Sequence, residues 1–182
     1  NERGDFLMST LPAIDLSSPP QTGVVVVPHF ADGGGWTTQI LLVNPGNSAA
    51  NGKVEFRDPK GALTSIPLAN QATGDYLIPP RSSRKLATAG AGATTTGSVR
   101  IIPSGGSAAP IALIVFSYKP AGIVLSQAGV TSVRGTALRM YAASAAIPFQ
   151  LQTGLALANI GAAEITVTFE LFNHDGSTTG LP

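Results

Sequence analysis

A segment of this chain occurs twice, and the repeat is the strongest constraint on how the sequence folds. Residues 38–46 (TQILLVNPG) return as residues 153–161 (TGLALANIG), which places Asn44 opposite Asn159 at an offset of 115 positions (159 − 44 = 115). The correspondence continues without a gap and aligns Gly61 with Gly176. The first copy runs on through further strand-like segments, whereas little sequence follows Gly176. We therefore expect one complete structural unit and part of a second.

Turn-forming residues interrupt the sequence about every 8–12 positions, which is the spacing of an all-β sandwich or barrel. The candidate strands of the first copy are residues 24–27, 37–44, 53–57, 63–68, 75–78, 98–102, 111–118 and 123–130. Those of the second copy are residues 137–141, 154–159 and 165–172. The pattern predicts an all-β, antiparallel β-sandwich, immunoglobulin-like or jelly-roll-like, with very little helix.

The composition limits the classes of partner. Charged residues make up 12% of the chain, against roughly 25% in typical soluble proteins. Eleven basic and ten acidic residues nearly cancel, so we expect no binding to nucleic acid. No apolar run approaches the ~20 residues that span a bilayer, so we expect no membrane insertion. The absence of cysteine excludes disulfides and thiolate chemistry. A weakly charged, Ser/Thr/Gly-rich surface favours an extracellular or cell-surface protein.

One stretch carries a resemblance to a known group of repeats. Residues 27–39 (VPHFADGGGWTTQ) with residues 42–45 (LVNP) resemble repeats of large secreted or surface proteins of environmental, acidobacterial-type bacteria. Residues 1–7 are similar to the segment that precedes those repeats, and residues 153–159 to a variant in tandem arrays. The resemblance implies an extracellular immunoglobulin-like or related β-sandwich, and it implies no catalytic residues.

The predicted organisation has three parts: an extended N-terminal arm (1–22), a complete β-sandwich (23–133) and a partial second repeat (134–182). The arm is apolar and ends in Pro19-Pro20, which makes a stiff linker. The arm is long enough to supply a strand that is missing from the partial repeat of a neighbouring molecule. The predicted assembly residues are Phe6, Leu7, Met8, Leu11, Ile14, Leu155, Leu157, Phe169 and Leu171.

His29, Asp32 and Trp36 flank three consecutive glycines and form the main candidate ligand site. They suit a cation or sugar site, or else a glycine-rich turn with Trp36 as a core anchor. The position opposite Trp36 in the second copy is Leu151, which favours packing. With two histidines, a three-His metal site within one chain is impossible. The sequence contains no G-x-S-x-G elbow and no phosphate-binding glycine loop. We expect no cofactor, no metal and no catalytic residues.

Two functions remain open from the sequence. The first is a non-catalytic extracellular structural protein that self-associates by head-to-tail β-strand contacts into a filament, matrix or surface layer. The alternative is an adhesin or carbohydrate-binding repeat of a larger surface protein. It predicts an exposed Trp36, a surface glycan as partner and a monomer in solution.

Overall fold

The protein is all-β, as predicted. The computed structural model describes Gly4, Ala13, Asp15 and residues 21–131, 133–142 and 153–180. The described residues form nine strands: β1 Val25–Asp32, β2 Trp36–Val43, β3 Ala50–Arg57, β4 Leu63–Thr64, β5 Asp75–Ile78, β6 Ser83–Ala87, β7 Thr95–Pro103, β8 Ile111–Tyr118 and β9 Ser126–Thr131. Within these ranges the helical content is one short 3-10 turn, Pro120–Gly122, and no helix is long and apolar enough to cross a membrane.

The strands form two antiparallel sheets that pack into a β-sandwich. In sheet I, β1 pairs with β7 and β7 with β3, and both β4 and β5 pair with β3. In sheet II the order is β6-β2-β8-β9. The inward faces of the two sheets bury apolar side chains at alternate positions, as half-buried strands require. The fully buried core includes Val27, Phe30, Ile40, Leu42, Ile78, Leu86, Val99, Ile101 and Ile114.

The centre of sheet II shows how the sequence pattern builds this core. Ile40 of β2 lies opposite Leu86 of β6 on one side and Ile114 of β8 on the other, and all three are fully buried. The apolar run of β8 predicts a strand covered on both faces. Leu113 and Val115, which alternate with the core residues of β8, are also buried. The prediction for β8 is therefore confirmed.

One short segment, which we call the corner (residues 75–87), contributes a strand to each sheet. Its first part, β5, pairs with β3 in sheet I, and its second part, β6, pairs with β2 in sheet II. Between them the chain turns at Pro79 and Pro80, and Arg81 adopts a positive φ of 54°. The basic residues Arg84 and Lys85 lie on β6, in a stretch for which the sequence pattern predicts no strand. Leu86 anchors β6 in the core.

The predicted strands of the second copy are absent as strands. Residues 137–141, 154–159 and 165–172 form no strand in the described structure, apart from a single bridge between Phe172 and Thr178. In the first copy the strand predicted at residues 63–68 is shorter in the structure, which has only β4 and a single bridge at Leu68. The physical reason is the same in both places, because a strand's backbone groups need an adjacent strand to pair with.

Candidate assembly site

The β2–β3 turn is built around one buried side chain, Asn44. Its Oδ1 accepts a hydrogen bond from the Gly46 amide at 3.0 Å, and its Nδ2 donates to the Ser48 carbonyl at 2.8 Å. Asn side chains commonly bond the backbone two residues on, which closes a turn without a strand partner. The turn is therefore held from within its own few residues.

The second copy folds this turn in the same way. The Gly161 amide donates to Asn159 Oδ1 at 2.9 Å, and Asn159 Nδ2 donates to the Ala163 carbonyl at 2.6 Å. These are the same two bonds at the offset of the repeat. Asn159 differs from Asn44 in its surroundings, because Asn44 is 4% exposed and Asn159 lies on the surface.

A second turn is also duplicated. The Asp58 amide donates to the Ala62 carbonyl and the Gly61 amide to the Asp58 carbonyl, both at 2.9 Å. The matching bonds join Asn173 to Ser177 at 2.8 Å and Gly176 to Asn173 at 3.0 Å.

The backbone agrees with these hydrogen bonds. Gly61 and Gly176 have φ values of 84° and 85°, a left-handed conformation that favours glycine. The bridge between Phe172 and Thr178 corresponds to the pairing of Arg57 with Leu63 at the start of β4. The second copy therefore has the local turn geometry of the first.

Within the described residues, only the turn of the first copy also contacts the corner. In the first copy Asn44 Nδ2 also donates to the carbonyls of Ile78 at 3.1 Å and Pro79 at 3.0 Å. The backbone amide of Asn44 donates to the Ser82 carbonyl at 2.9 Å. Among the described residues, Asn159 makes hydrogen bonds only within its own turn.

The apolar side chains of the second copy are correspondingly exposed. Leu155, Leu157, Phe169 and Leu171 are 51%, 51%, 54% and 47% exposed. Their counterparts at the repeat offset are Ile40, Leu42, Val54 and Phe56, which are 0%, 0%, 6% and 5% exposed. We call residues 153–180 the second-copy segment. Four of its apolar side chains are thus exposed, whereas the corresponding side chains of the first copy are buried in the core. The remaining predicted assembly residues (Phe6, Leu7, Met8, Leu11 and Ile14) fall outside the described residues.

His29 and Asp32 each have a packing environment of their own. The half-buried His29 ring lies 5.3 Å from the Phe116 ring, and burial lowers the pKa of its imidazole. Asp32 is 3% exposed, and its Oδ1 accepts a hydrogen bond from the Gly90 amide at 2.7 Å.

Trp36 is half-buried, with its ring 4.7 Å from the Tyr118 ring at an interplanar angle of 31°. The neighbouring glycines serve a close approach of two loops, because a Cβ on Gly33 would lie 2.3 Å from the Ala93 carbonyl oxygen. The arrangement is that of a packed glycine-rich turn. In the described ranges no three His, Cys, Asp or Glu side chains come close enough together to hold a metal ion.

Comparison with known proteins adds no further assignment: no protein-family model, curated protein or solved structure matches this chain. The fold is an antiparallel β-sandwich, and the candidate assembly site is the second-copy segment.

Proposed function

We propose that this chain is a non-catalytic structural protein of the cell exterior that assembles through β-strand contacts made by its second-copy segment. One observation carries the proposal. The two turns of this segment have the hydrogen bonds of a folded sandwich, while the apolar side chains that flank the first turn are exposed.

Burial is the driving force for such an assembly. Fully burying an aliphatic or aromatic side chain contributes about 1.5–3 kcal/mol. Leu155, Leu157, Phe169 and Leu171 are about half exposed, so each gains about half of this contribution when a partner covers it. The backbone of residues 154–158 and 165–170, which belongs to no strand in the described structure, gains hydrogen bonds in the same step, as in strand addition to a sheet.

The direction of the contact determines the product. The second-copy segment of one molecule would contact a different surface of the next molecule, so the interface is head-to-tail. Head-to-tail contacts that do not close into a ring produce open filaments. A filament, matrix or surface layer outside the cell is consistent with the low charge fraction of 12% and with the resemblance described above.

The experiment is sedimentation velocity of the full chain over a range of concentrations. We expect the mass to rise with concentration, and electron microscopy to distinguish filaments from rings. Phe169→Asp should abolish the association, because the counterpart of Phe169 is the buried Val54. The matched control is Thr168→Asp, whose counterpart Lys53 has a largely exposed side chain.

A monomer at every concentration would contradict the proposal and favour the adhesin or carbohydrate-binding alternative. That alternative requires the Trp36 ring to be free for a sugar, whereas one side of the ring packs against Tyr118. Equal association of Phe169→Asp and Thr168→Asp would also contradict the proposal, since assembly would then not involve the apolar positions.

A further inference from the structure

The structure defines the kind of segment that would complete the second copy. In the first copy, β2 and β3 belong to different sheets. In a completed second copy, the stretches that correspond to them, residues 153–158 and 165–172, would therefore belong to different sheets as well. A single straight strand, such as one formed by the N-terminal arm, can pair with only one of the two.

The corner solves this problem in the first copy. β5, of four residues, pairs with Ala50–Lys53 of β3, and β6, of five residues, pairs with Gln39–Val43 of β2. The turn between β5 and β6 docks on the β2–β3 turn through Asn44. One short continuous segment thus supplies a strand to each sheet and a contact to the turn between them.

We propose that the second-copy segment binds a two-strand, proline-containing corner with the chemistry of residues 75–87, which a peptide of that sequence can supply. Asn159 recognises it by donating its side-chain amide to two successive carbonyls at the turn, as Asn44 does to Ile78 and Pro79. The proposal rests on the proposed function, since it identifies the partner of the same site.

The first copy also specifies which features the partner needs. Tyr76, Ile78 and Leu86 are 3%, 0% and 0% exposed, so a matching corner carries apolar side chains at these three places. In the first copy Arg81 Nε donates to Asn47 Oδ1 at 2.9 Å. The position of Asn47 is occupied by Ala162 in the second copy. Recognition of the partner therefore relies on Asn159 and backbone groups, and not on an arginine at the turn.

The test adds a synthetic peptide of residues 75–88 to the full chain and measures binding by fluorescence anisotropy. We expect saturable binding, and we expect Asn159→Ala to weaken it about tenfold, since it removes hydrogen bonds worth about 1.4 kcal/mol in total. The matched control is Asn173→Ala. Its counterpart Asp58 bonds only within its own turn, so this variant should bind as the parent does.

A spectroscopic measurement locates the contact independently. In an amide-resolved NMR spectrum, the Asn159 side-chain amide should shift on addition of the peptide, and the Asn44 side-chain amide should not. This readout also excludes exchange of the peptide with the corner of the first sandwich, which would move the Asn44 signal instead.

Three results would overturn the inference: no binding of the peptide, equal binding by the parent and Asn159→Ala, or competition by a peptide of residues 5–20. Any of these can occur while the full chain still associates in sedimentation, in which case the proposed assembly stands and the corner does not. Conversely, Asn159-dependent binding of the peptide by a chain that stays monomeric supports the corner and contradicts self-assembly.

Discussion

The hydroxyl of Thr38 bonds both backbone groups of Ala31 across the sandwich. It donates to the Ala31 carbonyl at 2.7 Å and accepts from the Ala31 amide at 3.0 Å. Thr38 lies in sheet II and Ala31 in sheet I, and both are buried. One side chain therefore joins the two sheets and satisfies the backbone of β1 where β7 does not.

Replacing this hydroxyl tests the contact. Thr38→Val keeps the shape of the side chain but leaves a buried N–H and a buried C=O without their partner. Each such group costs about 1–3 kcal/mol, so we expect the free energy of unfolding to fall by about 2–4 kcal/mol. Urea denaturation measures the change. Thr131→Val, on the exposed strand β9, is the control and should have little effect.

The two repeated asparagines should differ sharply in their contribution to stability. Asn44→Ala removes a buried side chain that bonds four backbone groups, and we expect a loss of about 2–4 kcal/mol. Asn159→Ala removes an exposed side chain outside the sandwich and should leave the unfolding transition unchanged. A comparable loss in both variants would contradict the assignment of the corner contact to Asn44 alone.

Gly97 marks a place where two strands approach too closely for a side chain. A Cβ at this position would lie 1.9 Å from the Arg57 carbonyl oxygen and 3.0 Å from Cε1 of Phe30. The strand β7 must shift to admit it, so we expect Gly97→Ala to destabilise the fold by about 3 kcal/mol or more. Gly154→Ala, where a Cβ meets no atom within 4 Å, is the matched control. Thermal unfolding of both variants measures the difference.

Tyr76 should make the fold sensitive to alkali. Burial raises the pKa of its hydroxyl to about 12, from about 10 in an unfolded chain. Between these values the unfolded chain releases a proton that the folded chain keeps, so stability is full below pH 10 and falls as pH rises toward 12. We expect Tyr76→Phe to remove this component, which amounts to at most about 2 kcal/mol.

Denaturant titrations of the parent and Tyr76→Phe at pH 9 and pH 11.5 measure the effect. Other groups titrate equally in both proteins and cancel in the difference. Parallel loss of stability in the two proteins would show that Tyr76 does not contribute.

The sequence predicts the sandwich well where local pattern and sheet position agree. β5 and β8 have the predicted bounds, because each is a clear apolar run between turn residues. The sequence pattern does not predict β6. Leu86 is the one buried residue of this strand, and its neighbours include the charged Arg84 and Lys85. A charged strand at the edge of a sheet has the composition of a loop.

The candidate site is only partly visible in the sequence. The repeat points to Leu155, Leu157, Phe169 and Leu171, but it also predicts strands that the described structure does not form. Alternation indicates which face of a strand is apolar, and it contains no information on whether a neighbouring strand is present. The role of Asn44 and Asn159 is missed although both are in the repeated segment, because a single Asn before a turn has many possible bonds.

The corner also has a consequence for proteolysis. Because β5 and β6 are parts of one covalent segment, a single cut between Pro79 and Ser82 would sever the direct link between an edge strand of sheet I and an edge strand of sheet II. The two consecutive prolines and the hydrogen bond from the Arg81 amide to the Gly46 carbonyl at 3.0 Å make this turn a poor substrate. The link between the two edge strands thus lies at a point that resists cleavage.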